Sequence, residues 1–399
     1  MHKIKLLAAG LLVSVASLNG VSSFAQSTPG TGTAGQEDRL RAITTAVPIL
    51  TVSPDARSAA LGDAGVAISP DANTPHWNPA KLGFVQDNIG LSFSYSPWLR
   101  NIVNDMYLAY GSGYKKLDEF SAFSVSFLYF NLGSIQLTDD RGNPLQDFRP
   151  KEYTVDLAYG RKLSENLSLG LGARFIHSNL AGGISVSGTG GTSEAKAGNS
   201  VAADLGIYYT KDMTLSGKNF NMAFGGNISN LGAKISYTTP DQKDFIPTNL
   251  RLGTALTLEL DPYNKVTWTL DGNKLLVPSP TGDPDKDFER RNKGVLAGVF
   301  SSFSDAPDGF SEEISEINLS TGIEYWYDNL FAARAGYFYE DPNKGNRQYF
   351  SMGLGLKYQK IGIDAAYLIP NNQNNPLAQT LRFTLSLNLA AEETAAPVE

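Results

Sequence analysis

The feature that most limits what this chain can fold into is an alternation of period two. It begins at Asn88 and recurs almost to the C-terminus. Ile89, Leu91, Phe93 and Tyr95 alternate with Gly90, Ser92 and Ser94, and Tyr153, Val155, Leu157 and Tyr159 with Thr154, Asp156, Ala158 and Gly160. Phe350, Met352, Leu354, Leu356 and Tyr358 are separated by Ser351, Gly353, Gly355 and Lys357. Leu381, Phe383, Leu385, Leu387 and Leu389 are separated by Arg382, Thr384, Ser386 and Asn388. A pleat sends successive side chains to opposite faces, so each segment is a strand with one apolar face and one small or charged face. A soluble sandwich with its apolar face inward gives the same alternation.

Three observations separate a membrane barrel from that sandwich. Tyrosines (Tyr95, Tyr129, Tyr153, Tyr159, Tyr209, Tyr325, Tyr327, Tyr339, Tyr358, Tyr367) sit at the ends of the apolar faces, where a bilayer boundary favours a ring with one wet end. The opposite faces carry mid-strand charges of both signs: Asp156, Arg174, Asp204, Arg251, Asp271, Glu324, Arg334, Asp364 and Arg382. That is expected of a lumen whose charges pair across its interior. The connections alternate between short (Lys115–Glu119, Leu163–Asn166, Asp261–Asn264, Asp328–Asn329) and long (Asn131–Lys151, Asn179–Asn199, Ser229–Thr248, Asn273–Glu316). Outer-membrane barrels have brief periplasmic turns and extended outer loops, and a Greek-key sandwich has no reason to keep that parity. The sequence therefore predicts an all-β, transmembrane antiparallel β-barrel of about 14 strands over residues 88–389, with both termini periplasmic.

The chain before the barrel divides into three. His2, Lys3 and Lys5, the apolar Leu6–Val15 and the small-residue Ser23-Phe24-Ala25 have the layout of a secretory signal peptide, residues 1–25. Its apolar core is well short of the roughly 20 residues of a bilayer-spanning helix. Residues 26–52 read as a leader, its first part polar and with little to bury; Pro48 argues against a long helix there. Residues 53–87 contain RSAALGDAGVAISPDANTPHWNPAKLGF, Arg57–Phe84, rich in Gly, Ala and Pro and suited to neither a long helix nor a long strand. This stretch is expected to be a small plug in the barrel. Its Asn78-Pro79-Ala80 is open to two compatible readings, a turn that aims the chain into the first strand and a gating element. Residues 390–399 form an acidic tail.

Charge and composition exclude several functions. The formal net charge is −7 and there is no cysteine. No basic face for nucleic acid is visible, and disulfides, thiolate metal sites and a cysteine nucleophile are excluded. Of the three histidines, His2 lies in the signal peptide, His76 in the plug and His177 on the lipid side of a strand. There its neighbour Ser178 points the other way, so the two cannot form a hydrolase pair. Gly62-Asp63-Ala64-Gly65 lacks the strand–turn–helix context of a nucleotide loop. Asp283, Asp285 and Asp287 are interrupted by Pro284 and lack the later Glu of a calcium loop. No catalytic residue, cofactor or metal is expected. Within the longest loop, Phe288, Val295, Leu296, Val299, Phe300 and Phe303 recur at helical spacing, interrupted by Gly294 and Gly298. That helix either packs on the barrel rim or faces a partner.

Ser58-Ala59-Ala60-Leu61-Gly62, Gly65-Val66-Ala67, Asp71 and Trp77-Asn78-Pro79-Ala80-Lys81-Leu82 together resemble the N-terminal signature of FadL-related outer-membrane barrels, in particular the PorV/PorQ branch. The resemblance implies a non-enzymatic component of the type IX secretion system. Such a protein binds the C-terminal signal domain of cargo and carries it from the translocon barrel to a cell-surface attachment complex containing PorU, with outer-membrane lipids around it. Alternatives are a FadL-like transporter of hydrophobic small molecules and a lipid A O-deacylase. The inner face, read as mostly Gly, Ala, Ser and charges, disfavours an apolar transport pocket. The chain departs from the usual barrel ending, since Ala390–Glu399 continues past the last strand without a terminal aromatic. Apolar loop residues that a partner could bury are Trp98, Leu99, Ile102, Leu145, Phe148, Phe300 and Phe303.

Overall fold

The structure, a computed structural model, describes residues 41–98, 105–138, 144–180, 185–188, 191–215, 217–238, 243–371 and 380–389. Fourteen antiparallel strands close into one barrel. In chain order they are Ile89–Pro97, Tyr107–Lys116, Ser121–Asn131, Lys151–Lys162, Leu167–Asn179, Gly198–Leu215, Lys218–Gly232, Asn249–Asp261, Asn264–Leu275, Ile317–Tyr327, Phe331–Tyr339, Gln348–Tyr358, Ile361–Pro370 and Leu381–Leu389. Each pairs with the next along the chain, and the first closes on the last from Ile89↔Leu389 to Tyr95↔Phe383. Two small hairpins, Ile135–Thr138 with Pro144–Phe148 and Ser185–Gly188 with Gly191–Glu194, lie within long connections.

Burial decides between the sandwich and the membrane barrel. Leu91, Phe93, Val125, Phe127, Leu157, Leu171 and Leu385 are exposed around the wall, and Leu354 is 56% exposed. Their strand neighbours Ser92, Ser94, Ser126, Asp156, Arg174 and Arg382 are buried. A water-soluble fold would reverse the two sets, whereas an apolar belt continuous around a barrel is matched by lipid. Neighbouring rings mark one edge of the belt: Tyr95 lies 5.6 Å from Tyr107, Tyr107 6.0 Å from Tyr129, and Tyr153 4.7 Å from His177. Tyr327 and Tyr358 are exposed at the other edge. None of the described helices is long and apolar enough to cross a membrane.

The connections keep strict parity. At one end lie 117–120, 163–166, 216–217, 262–263, 328–330 and 359–360; at the other 98–106, 132–150, 180–197, 233–248, 276–316, 340–347 and 371–380. The short end is periplasmic and the long end faces out.

Residues 41–88 run inside the barrel from the outer end towards the periplasmic end. Arg41 N–H donates to Asn343 O at 3.1 Å and Ala46 N–H to Phe245 O at 2.9 Å, both acceptors on long connections. A 3-10 helix follows at Pro48–Thr51, then short α-helices at Ala56–Ala59 and Thr74–Trp77 and a second 3-10 helix at Pro79–Phe84. Ala46, Val47, Ile49 and Leu50 are buried in one cluster with Leu108, Tyr110, Leu128, Phe130 and Ile176 of the wall. The inner face is therefore not uniformly small and charged. In its outer half the inward positions carry large apolar side chains, because the segment they meet is itself apolar. The first described residue lies at the outer end and Leu389 at the periplasmic end. The rest of the path to the N-terminus, expected to be periplasmic, falls outside the described residues.

Candidate functional site

Two regions carry specific chemistry: the contact of the inner segment with the wall, and the cap formed by the outer loops. In the first, Asn78 is completely buried. Its amide donates to Val66 O at 3.2 Å and Ile207 O at 2.9 Å, and its carbonyl accepts from Ala80 N–H at 3.0 Å. The Asn-Pro-Ala turn thus ties the segment to itself and to the wall. Pro79 and Ala80 lie so close to Gly160 and Gly170 that a Cβ at either glycine would overlap their backbone.

Ion pairs repeat the attachment. The Arg57 guanidinium meets Glu324 at 2.8 Å and Asp71 at 3.0 Å, and Glu324 also accepts from Arg334 at 2.6 Å. Arg334 in turn reaches Asp364 at 2.6 Å. Arg174 bridges Asp156 and Asp204 across three strands, and Asp271 accepts from the backbone N–H of Gly65 and Val66 at 2.7 and 2.9 Å. The expected pairing of lumen charges is present, with partners on the inner segment as well as the wall. Beneath it a vestibule of about 730 Å³ opens at the periplasmic end, lined by Arg57, Asp71, Lys162, Trp326, Arg334 and Asp364 among others.

The outer cap is built on a second charge cluster. Lys274 contacts Glu313 at 2.9 Å and Glu316 at 2.7 Å; Lys344 contacts Glu312 at 2.6 Å and Glu316 at 3.0 Å. Arg41 joins Glu312 and Asp308, each at 3.2 Å. Four separate stretches of chain are thereby fastened together: the inner segment, the strand Asn264–Leu275, the longest loop and the 340–347 loop. Partial burial disfavours ionisation of Glu312. Hydrogen bonds from Lys344 and the Asp308 N–H, with the charges of Lys344 and Arg41, outweigh it and hold its carboxyl below the usual glutamate range.

On this base stand helices Pro284–Asn292, Val295–Ser301 and Phe310–Ser315. Asp283 caps the first, accepting from Asp285 and Lys286 N–H, which gives that acidic run a structural role. The amphipathic pattern forms two helices rather than one, broken at Lys293-Gly294. Gly298 packs against the Phe245 ring, and Val299 is buried beside it in the same helix. The outward face is left apolar: Phe300 is 73% exposed and Phe310 80%, with Phe288, Leu296, Phe303 and Ile314 also exposed.

The expected partner residues are not brought together. Phe300 lies exposed on the helix Val295–Ser301, and Phe303 is exposed in the turn just past its end. Phe148 is half-buried and pairs with Ile135 in the first loop hairpin. Leu145 lies on the strand Pro144–Phe148, but its side chain, like Leu99 and Ile102, falls outside the described residues. Trp98 departs from the expectation of exposure. It is 8% exposed, its ring lies 5.7 Å from Phe130, and it belongs to the apolar cluster that holds Val47 and Leu50. Trp98 continues the inward parity of the buried Ser92, Ser94 and Ser96, which turns its ring towards the inner segment. Phe310 and Ile314 were missed, although their spacing of four with charges between them was the available signal.

His177 and Ser178 face opposite sides: the His177 ring stacks on Tyr153 at 4.7 Å, and Ser178 Oγ donates to Glu152 at 2.6 Å in the interior. Among the described residues no group of three or more His, Cys, Asp or Glu is placed to hold a metal ion.

The family described as type IX secretion system protein PorV matches residues 34–282, more than half of the chain. No curated protein matches it. Solved structures with a similar fold include the toluene transporter TodX of Pseudomonas putida. It has 11% identity and a TM-score of 0.48, over 82% of this chain and 95% of that one. Another is the toluene transporter TbuX of Ralstonia pickettii, with 11% identity and a TM-score of 0.46 over 84% and 98%. A FadL homologue of Pseudomonas aeruginosa has 13% identity and a TM-score of 0.40 over 87% and 98%. At these values the likenesses carry no functional argument. The closed barrel, its lipid-facing belt and the family match agree: this chain is an outer-membrane β-barrel belonging to the PorV family of type IX secretion system proteins.

Proposed function

We propose that the protein is a non-enzymatic docking barrel. It binds the C-terminal signal domain of type IX cargo at its outer face and carries that cargo from the translocon barrel to the PorU-containing attachment complex. The observation that carries this reading is the apolar face of the outer helices, with Phe300 73% exposed and Phe310 80%. Exposed groups of this size beyond the lipid belt are unfavourable in water unless a partner covers them. The cap beneath them is held by buried charge pairs, which keep the surface in one shape.

The inner segment serves as a plug in this reading, with Asn78, Pro79 and Ala80 as its anchor. The filled outer half of the lumen weighs against conduction of hydrophobic molecules. Residues 1–25 serve as an export signal, 26–52 as a leader and 390–399 as a periplasmic tail. Phe148, with Leu99, Ile102 and Leu145, is assigned to a secondary contact. Trp98, buried in the interior, takes no part in that contact.

The test is affinity purification from outer membranes, with partners identified by mass spectrometry. Replacing Phe300 and Phe303 by Asp is expected to leave the barrel inserted and to reduce co-purified cargo and translocon at least tenfold, the effect of about 1.4 kcal/mol. Unchanged recovery removes this surface from the proposal.

A further inference from the structure

We infer that the lipid-facing wall binds one phosphate-bearing lipid of the outer leaflet, in a groove over the second strand. A cavity of about 540 Å³ opens at the outer edge of the belt, lined by Tyr95, Pro97, Asp105, Tyr107, Asn131 and Arg149 among others. Pro97 pairs with Tyr107, Tyr107 with Asn131, and Asn131 with Lys151. Residues directly opposite one another share a face of the sheet, and Pro97 follows the parity of the exposed Phe93 and Tyr95. The row therefore looks outward, at the boundary of the bilayer, and the membrane itself supplies what fills a cavity there.

The groove continues from that row into the leaflet. Tyr95 and Tyr129 flank Ala109, and Phe93 and Phe127 flank Gly111, so rings form two walls over a floor of small residues. A Cβ at Gly111 would touch nothing within 4 Å, which leaves the floor open. It closes two residues on, where a Cβ at Gly113 would lie 2.7 Å from Leu91 Cδ2. Six residues of a strand tilted by about 40° descend about 15 Å, half of a hydrocarbon core of about 30 Å. One acyl chain fits that depth. The head end is cationic: Arg149 lines the cavity and Lys151 stands beside Asn131, both exposed, and neither enters an ion pair among the described residues. The carboxylate in the lining, Asp105, is engaged by Ser134 N–H at 2.9 Å. A guanidinium fork and an ammonium select phosphate over a zwitterionic headgroup. Free phosphate has no chain to occupy the floor at Ala109 and Gly111. The outer leaflet of an outer membrane is rich in phosphorylated glycolipid, which has both parts.

The full-length protein, purified in mild detergent, is mixed with diphosphorylated lipid A or with phosphatidylcholine, and bound lipid is counted by native mass spectrometry. Heat-modifiability first shows that each barrel is folded. The unaltered protein is expected to retain one lipid A and at least tenfold less phosphatidylcholine. Gly111→Leu, which fills the floor, and the double variant Arg149→Gln with Lys151→Gln are each expected to lower lipid A retention at least tenfold. Undiminished lipid A on either variant, or equal retention of phosphatidylcholine, overturns the inference. Ala109→Leu serves in place of Gly111→Leu if that barrel does not fold. The inference rests on the barrel and its lipid-facing belt and not on cargo docking, so loss of cargo recovery leaves it untouched and the two fail separately.

Discussion

Glu324 shows how single residues hold the inner segment. It is 2% exposed and sits between the guanidinium groups of Arg57 and Arg334. A buried pair of this kind contributes little net stability beyond what an apolar replacement would give, but removing one partner strands the other charge. Glu324→Ala leaves two arginines facing each other and is expected to cost about 3–5 kcal/mol. The check is a lowered unfolding midpoint in detergent together with faster proteolysis of the segment ahead of Ile89. An unchanged midpoint would mean that water or Asp364 takes over the role. The exposed Arg161–Asp118 pair, at 3.7 Å, is screened by solvent and makes no comparable difference. Charges such as Glu324 and Arg334 were legible as residues of a paired lumen because they stand at even positions among small side chains. Their partner Arg57 was not, since it lies 267 residues away from Glu324 in the chain. The same holds for Asn78-Pro79-Ala80: its turn chemistry is local, but the room made for it by Gly160 and Gly170 is a property of the closed wall.

Elements divide in the same way. The strands were legible almost to their ends, because alternation and connection length both report them. The outer helices were legible as an amphipathic pattern, and the break at Lys293-Gly294 follows from the glycine noted there. Their exposed face was only half read, since helical periodicity identifies an apolar stripe without saying what covers it. The stability of this cap is linked to pH through Glu312. Its carboxyl is held below the usual range in the folded state, so its contribution is fully present above the unfolded glutamate value, about pH 4.3. The contribution is lost as pH falls through the lower folded value. Amide exchange in Phe310–Ser315, corrected for its intrinsic pH dependence, is expected to be slow and constant above about pH 5 and to accelerate below the unfolded value. Replacing Glu312 by Gln should abolish that acid-dependent step. Acceleration that begins near neutrality would assign the cap to a different group.

For the molecule as a whole, lipid covers one side of the wall and a packed segment the other, and the outer helices still expose Phe300 and Phe310 to water. The sequence made the barrel and its orientation readable, because parity of connection length survives any uncertainty at individual strand ends. It left the filled outer lumen unread: Leu108, Leu128 and Ile176 occupy inward positions and are explained only by the Val47–Leu50 stretch that meets them. It also misjudged Trp98, which belongs to that packing. A photo-crosslinking amino acid placed at Phe300 in living cells, with Leu354 on the lipid-facing wall as the control, examines the cap where the proposed docking occurs. The account predicts adducts with cargo signal domains and the translocon barrel at Phe300 and none at Leu354. An absence of type IX adducts at Phe300, in cells that secrete their cargo normally, would contradict it.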